Sequence, residues 1–129
     1  MIANQTTIAL DKIYHLKIYL SAMQDTTPTL PMLQILIALV DEDRHGYGIL
    51  LEIERRTGTR LGTGTLYTTL QRLQAKRLIE ETEKRPDPAD DDARRRYYRL
   101  TSAGRDMAER ESTRLERVVE MARAKALLS

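Results

Sequence analysis

Apolar residues recur at helical spacing along most of the chain, and near its middle the pattern breaks into two short alternating runs. From Thr7 to Met23, Ala9, Ile13, Leu16, Leu20 and Met23 lie three or four apart, and Leu10, Tyr14 and Ile18 widen the stripe, which predicts an amphipathic helix. "TTPTLP" interrupts it, because Pro28 and Pro31 disfavour helical backbone in the residues just before them. A second helix is predicted from there to about Asp41. Leu33, Ile35, Leu36, Ile37, Leu39 and Val40 make it apolar nearly all round, so it belongs at the centre of a core. "DEDRHGYG" reads as a charged turn, after which Tyr47, Leu50, Leu51 and Ile53 continue as a third helix ending near Gly58. A fourth lies in "GTGTLYTTLQRLQAKRLI", Gly62 to Ile79. There Leu66, Leu70 and Leu73 share one face, and Thr68, Gln71, Arg72 and Ala75 fall opposite.

After Leu78 the period changes to that of strands. "LIEETEKR" and "ARRRYYRLT" are strand-like. The second places Arg96, Tyr98 and Leu100 on one face, with Tyr98 and Leu100 expected in the core, and Arg95, Tyr97 and Arg99 on the other. "PDPADDD" between them makes a hairpin the economical reading. From Ser102 a long last helix is predicted, capped by Thr101 or Ser102 and carrying Met107, Leu115, Val118, Val119, Met121 and Leu128. The fold class is therefore mainly α with a small β-hairpin. An N-terminal helix occupies residues 1–28, a winged helix-turn-helix residues 29–101, and a C-terminal dimerisation helix residues 102–129.

Composition narrows the function more by exclusion than by assertion. With 129 residues, 41% of them hydrophobic, the chain can bury one core without disulfides or metal. It has no cysteine, which removes thiolate metal and redox sites and suits a reducing compartment, so a cytoplasmic location is expected. "MIANQTTIAL" lacks a basic leader, and the longest apolar run, Met32 to Val40, is interrupted by Gln34 and too short for a bilayer, so neither secretion nor membrane insertion is expected. His15 and His45 are the only histidines, and no phosphate-binding loop or nucleophile elbow appears. No enzyme activity and no cofactor or metal is expected, and His45 reads as a packing or capping residue. A formal charge of +2 does not announce a polyanion partner. Arg60 to Ile79, however, contains four basic residues and no acidic one.

Four blocks of sequence carry a resemblance. "HGYGI" at His45 to Ile49, "GTLY" at Gly64 to Tyr67, "LQRLQAKRLI" at Leu70 to Ile79 and "RRRYYRLTSAGR" at Arg94 to Arg105 follow one another as in the PadR family of bacterial transcriptional regulators, which the chain resembles over roughly Leu30 to Arg110. The resemblance implies a homodimeric winged-helix repressor with the long C-terminal helix at the dimer interface. It also suggests a small apolar or aromatic effector, with control by abundance alone as the alternative. Three departures stand out: Asp41 to Arg44 where the family often has Gly-Pro, Gly62 and Thr63 where it has Ser-Pro, and Arg77 where a glycine usually precedes Leu-Ile. Either the fourth helix ends differently here or Arg77 is strained.

The chemistry of DNA binding points to the same segment. Free N–H groups and the positive dipole at a helix start suit a phosphate oxygen, and Thr63, Gly64 and Thr65 permit its close approach. Tyr67 offers a hydroxyl to phosphate, Thr68, Gln71 and Arg72 project toward base edges, and Lys76 is assigned to phosphate. The plain alternative is an ordinary amphipathic surface helix, with Tyr67 covering the core edge. In the wing, Arg94 and Arg95 are the DNA candidates, while Arg99 is expected to pair across the strands with a glutamate. The acidic tip, Asp87 and Asp90 to Asp92, reads as a solvated loop. For dimerisation the candidates are Ile13, Leu16 and Leu20 on the first helix and Leu115, Val118, Val119 and Ala122 on the last. The expected partners are double-stranded DNA with a pseudo-palindromic operator and a second copy of the chain. The competing reading is a winged-helix module that binds another protein.

Overall fold

In the computed structural model, residues 9–17, 27–83 and 96–129 are described. A helix α1 covers residues 9–17, with every residue of it exposed. Then follow α2 (Leu30–Ala38), β1 (Arg44–His45), α3 (Gly46–Thr57), α4 (Thr63–Ala75), β2 (Ile79–Thr82), β3 (Tyr97–Leu100) and α5 (Ser102–Ala124). Helix α2 lies at the centre, with Ile35 and Leu36 fully buried against Ile49 and Ile53 of α3, Leu66, Leu70 and Leu73 of α4, and Met107 and Ala108 of α5. The core therefore draws on four helices and the inner face of the sheet.

Each helix end has a local cause. Thr29 caps α2 by accepting the Met32 N–H, and Pro31 occupies the first turn, where a missing N–H costs nothing. The helix stops at Ala38 rather than near Asp41. Leu39 and Val40 donate back to Leu36 and Ile37, and Arg44 Nε turns inward to donate to the Ala38 carbonyl at 2.8 Å. His45 caps α3, its Nδ1 accepting the Gly48 N–H at 3.0 Å, and Gly58 closes that helix in the left-handed conformation with φ 74°.

The sheet holds one strand more than the hairpin expected. The charged turn contains β1, and the antiparallel order is β1-β3-β2 with Arg44 opposite Tyr98 and His45 opposite Tyr97. Two residues are too few to show a period, so β1 is silent in the sequence. It also explains why Tyr97 is buried although alternation placed it outward: the His45 ring meets it edge-on, with centroids 5.3 Å apart. Tyr98 does enter the core, and burial raises the pKa of its phenol, with Glu81 adding to the effect. Leu100 is half-buried against it.

Arg44 also reaches a buried carboxylate. Glu52 accepts from Arg55 Nη2 at 2.7 Å and from Arg56 Nε at 2.9 Å, with Arg44 Nη2 at 3.5 Å. These hydrogen bonds outweigh the cost of desolvation and hold its pKa down to about 2. The ion cluster ties β1, through Arg44, to the middle of α3, which fixes the entry to the helix-turn-helix.

Candidate nucleic-acid interface

Helix α4 buries one face and offers the other. Leu66, Leu70 and Leu73 are at most 1% exposed, and Thr69 turns inward to donate to the Thr65 carbonyl. Thr63, Gly64, Thr65, Tyr67, Thr68, Gln71, Arg72, Ala75 and Lys76 are all exposed. The N-cap is Gly62 in an extended conformation, with no side chain capping the helix. The first-turn N–H groups are thus left for an outside acceptor, and a Cβ at Gly64 would meet nothing within 4 Å. Among the described residues, Arg72, Lys76 and Arg77 form no ion pair.

Tyr67 divides its ring between two surroundings. The residue is 51% exposed, yet its hydroxyl lies where a Cβ on Gly46 would be 3.3 Å away, at the first turn of α3. Gly46 is buried and lets the phenol cross the start of α3, so Tyr67 both packs the α3–α4 crossing and keeps its hydroxyl near an exposed surface. The two residues belong to separate sequence blocks, His45 to Ile49 and Gly64 to Tyr67, and neither block gives a sign that they touch.

Arg77 sits where the helix turns out. Its φ is 58°, the Leu78 N–H donates to the Leu73 carbonyl and the Arg77 N–H donates to that of Gln74, which is the Schellman arrangement that glycine ordinarily supplies. Of the two alternatives, the helix keeps the left-handed ending and Arg77 bears its cost. Arg77→Gly is expected to raise the unfolding free energy by about 0.5–1 kcal/mol, part of the steric relief being offset by the freer unfolded chain. Urea denaturation midpoints would reveal it, and an unchanged or lower midpoint would mean that the left-handed arginine costs nothing here.

In the wing, Arg99 Nε donates to Glu80 Oε1 at 2.7 Å across the strands, and Arg96 stands 3.5 Å from Glu81, so both are held by the sheet. Gln74 Nε2 donates to Glu81 at 3.3 Å and joins α4 to β2. Arg94, Arg95 and the acidic tip lie outside the described residues, as does Leu20. Of the remaining dimerisation candidates, Ile13 and Leu16 on α1 and Val118 and Val119 on α5 are exposed, and Ala122 is half-buried. Leu115 is partly buried against the core of its own chain. Beyond it, the far half of α5 leaves the body of the fold with Val118, Val119 and Met121 uncovered.

A close contact that no period in the sequence encodes lies in the first turn of α5. Gly104 is buried against the end of α4, where an added Cβ would stand 2.1 Å from the Leu78 carbonyl oxygen and 2.8 Å from Leu100 Cδ1. Among the described residues no cluster of histidine or acidic side chains could hold a metal, and no helix is long and apolar enough to cross a membrane.

The model of the transcriptional regulator PadR-like family matches residues 35–110, more than half of the chain. An uncharacterized 37.1 kDa protein of a Streptomyces fradiae transposon is 42% identical over 84 residues, 65% of this chain and 22% of that protein. The transcriptional regulator Rv3488 of Mycobacterium tuberculosis is 40% identical over 73 residues, 57% of this chain and 64% of that protein. The chain thus spans less than two thirds of these curated relatives. Among solved structures, a PadR family transcription regulator from Clostridium difficile superposes with a TM-score of 0.62 at 25% identity, over 76% of this chain and 99% of that one.

Proposed function

The chain belongs to the PadR-like family of transcriptional regulators, and from that premise we propose that it is a homodimeric, sequence-specific DNA-binding repressor. Helix α4 lies in the major groove, and the wing rests on the adjacent backbone or minor groove. The observation that carries this reading is the outer face of α4: hydroxyl, amide and basic side chains without an acidic residue, and its cations without ion pairs among the described residues. The basic side chains of the sheet differ, since Arg96 and Arg99 are matched to glutamates.

In this arrangement the first turn, Thr63 to Thr65, meets a phosphate through backbone N–H groups and hydroxyls, and the Tyr67 hydroxyl and Lys76 ammonium meet others. Thr68, Gln71 and Arg72 reach base edges. Arg94 and Arg95 of the wing add backbone or minor-groove contacts. The uncovered apolar residues of α1 and of the far half of α5 pair across a two-fold axis, giving two α4 helices about 34 Å apart and a pseudo-palindromic operator. A small apolar or aromatic effector lodged between the winged domain and the dimer helices would change that separation, and the protein acts in the cytoplasm.

Sedimentation together with gel shifts of the DNA upstream of its own gene, run at several salt concentrations, tests the reading. The expected result is a dimer whose specific complex weakens steeply with salt. A monomer at micromolar concentration, or binding indifferent to salt and sequence, would favour a protein-binding module instead.

A further inference from the structure

Helix α5 is fastened at its first turns to the C-terminal ends of two other helices. The Thr101 N–H donates to the Leu78 carbonyl at 3.1 Å. The Thr101 hydroxyl shares its proton between the carbonyls of Arg77 at 2.8 Å and Leu78 at 2.9 Å, while its oxygen accepts the Gly104 N–H at 3.1 Å. One turn on, Arg105 Nη2 donates to the Val40 carbonyl, just past the end of α2, at 3.2 Å. Gly104 allows this approach, since its backbone rests on the Leu78 carbonyl with no room for a Cβ. Neither the hydroxyl bonds nor the glycine contact is needed to finish α4, which closes on itself through Leu78 to Leu73 and Arg77 to Gln74. What they fix is the direction in which α5 departs relative to α4.

We propose that Thr101 and Gly104 are positioning residues that set the angle between the dimer arm and the recognition helix, and thereby the half-site spacing that the dimer accepts. This rests on the dimeric DNA-binding reading above. The lever is long enough to matter. From Thr101 to Val118 the helix runs about 25 Å at 1.5 Å per residue. A tilt of about 10° at the junction therefore shifts the far contact by about 4 Å, more than the ~3.4 Å rise of one base pair. Loosening the junction leaves the contacts within each half-site intact and blurs only the distance between the two.

The experiment uses the full chain and a palindromic duplex recovered from random DNA by in vitro selection, with its spacer kept, lengthened or shortened by one base pair, beside a single half-site duplex. Thr101→Val removes the hydroxyl while keeping its shape. Thr101→Asp keeps an acceptor for the Gly104 N–H but cannot donate to the two carbonyls, so the helix cap and the junction are separated even if the valine variant folds poorly. Thr101→Ser restores both.

Wild type is expected to prefer its selected spacing by about tenfold over either altered spacer. Thr101→Val and Thr101→Asp should reduce that preference to about twofold with half-site affinity nearly unchanged, and Thr101→Ser should return it. The proposal is overturned if the folded Val or Asp variant keeps the wild-type preference, or if affinity falls equally on every duplex including the half-site. A wild type that shows no spacing preference at all would instead remove the dimeric reading beneath the proposal, and the proposal with it.

Discussion

Gly104→Ala is expected to lower the unfolding free energy by about 3 kcal/mol, a fall in melting temperature on the order of 10 °C. A methyl group there would lie 2.1 Å from the Leu78 carbonyl oxygen and 3.0 Å from its carbon, both backbone atoms that no rotamer change can move aside. Either α5 withdraws, breaking the Thr101 bonds to Leu78 and uncovering Met107 and Ala108, or the end of α4 is displaced. Alanine's better helix propensity recovers about 1 kcal/mol of that loss and does not reverse it. Gly64→Ala supplies the internal control. Gly64 also lies in a helix, but a Cβ there meets nothing, so the same chemical change should be neutral to mildly stabilising, by up to about 1 kcal/mol. Thermal melts of the two variants side by side would separate packing from propensity. Equal melting temperatures would mean that the α4–α5 junction yields easily.

The contrast between those two glycines shows what a linear reading can reach. The helices, their order, the hairpin and the leucine face of α4 follow from periods of about 3.6 and 2, which a single chain displays. The end of α3 at Gly58 is legible too, and the caps at His45 and Thr101 each stand among two local alternatives, since they depend on residues within a few positions of each other; at Arg77 only the left-handed φ of 58° decides between a different ending and a strained one. Gly104 against Leu78 and Tyr67 over Gly46 join elements distant in sequence, Arg44 reaches from β1 to Glu52 in the middle of the adjoining α3, and no period encodes these contacts. The same holds for β1, which is a strand only because β3 lies beside it. Alternation assigns Tyr97 to the outer face of the hairpin, and in the structure His45 covers that face. On the candidate interface, residue types and facing were readable. The matched wing arginines and the unmatched cations of α4 were only partly so, because ion pairing depends on cross-strand register.

That difference in pairing decides which substitution should affect DNA binding most uniformly. Lys76 is exposed, follows the last turn of α4 and has no ion pair among the described residues, so its charge is available to a phosphate. The proposed dimer would carry two copies, and each phosphate contact adds about 0.9 to the slope of log affinity against log salt. Lys76→Ala should therefore flatten that slope by about 1.8 and weaken binding about 60-fold at 0.1 M salt, alike on every sequence. Folding should hardly respond, since a cation at a helix C-terminus contributes only about 0.3–1 kcal/mol. Gln71→Ala should behave oppositely. The amide has no charge to exchange for counterions, so the slope stays the same, while discrimination at one base pair in each half-site falls by about 1–3 kcal/mol. Salt titrations of both variants on the selected duplex and on single-base variants of it distinguish the two roles. If Lys76→Ala leaves the slope untouched, the ammonium does not face phosphate. If Gln71→Ala weakens every site alike, that face of α4 positions the protein without reading bases, and sequence recognition must pass to Thr68, Arg72 or the wing.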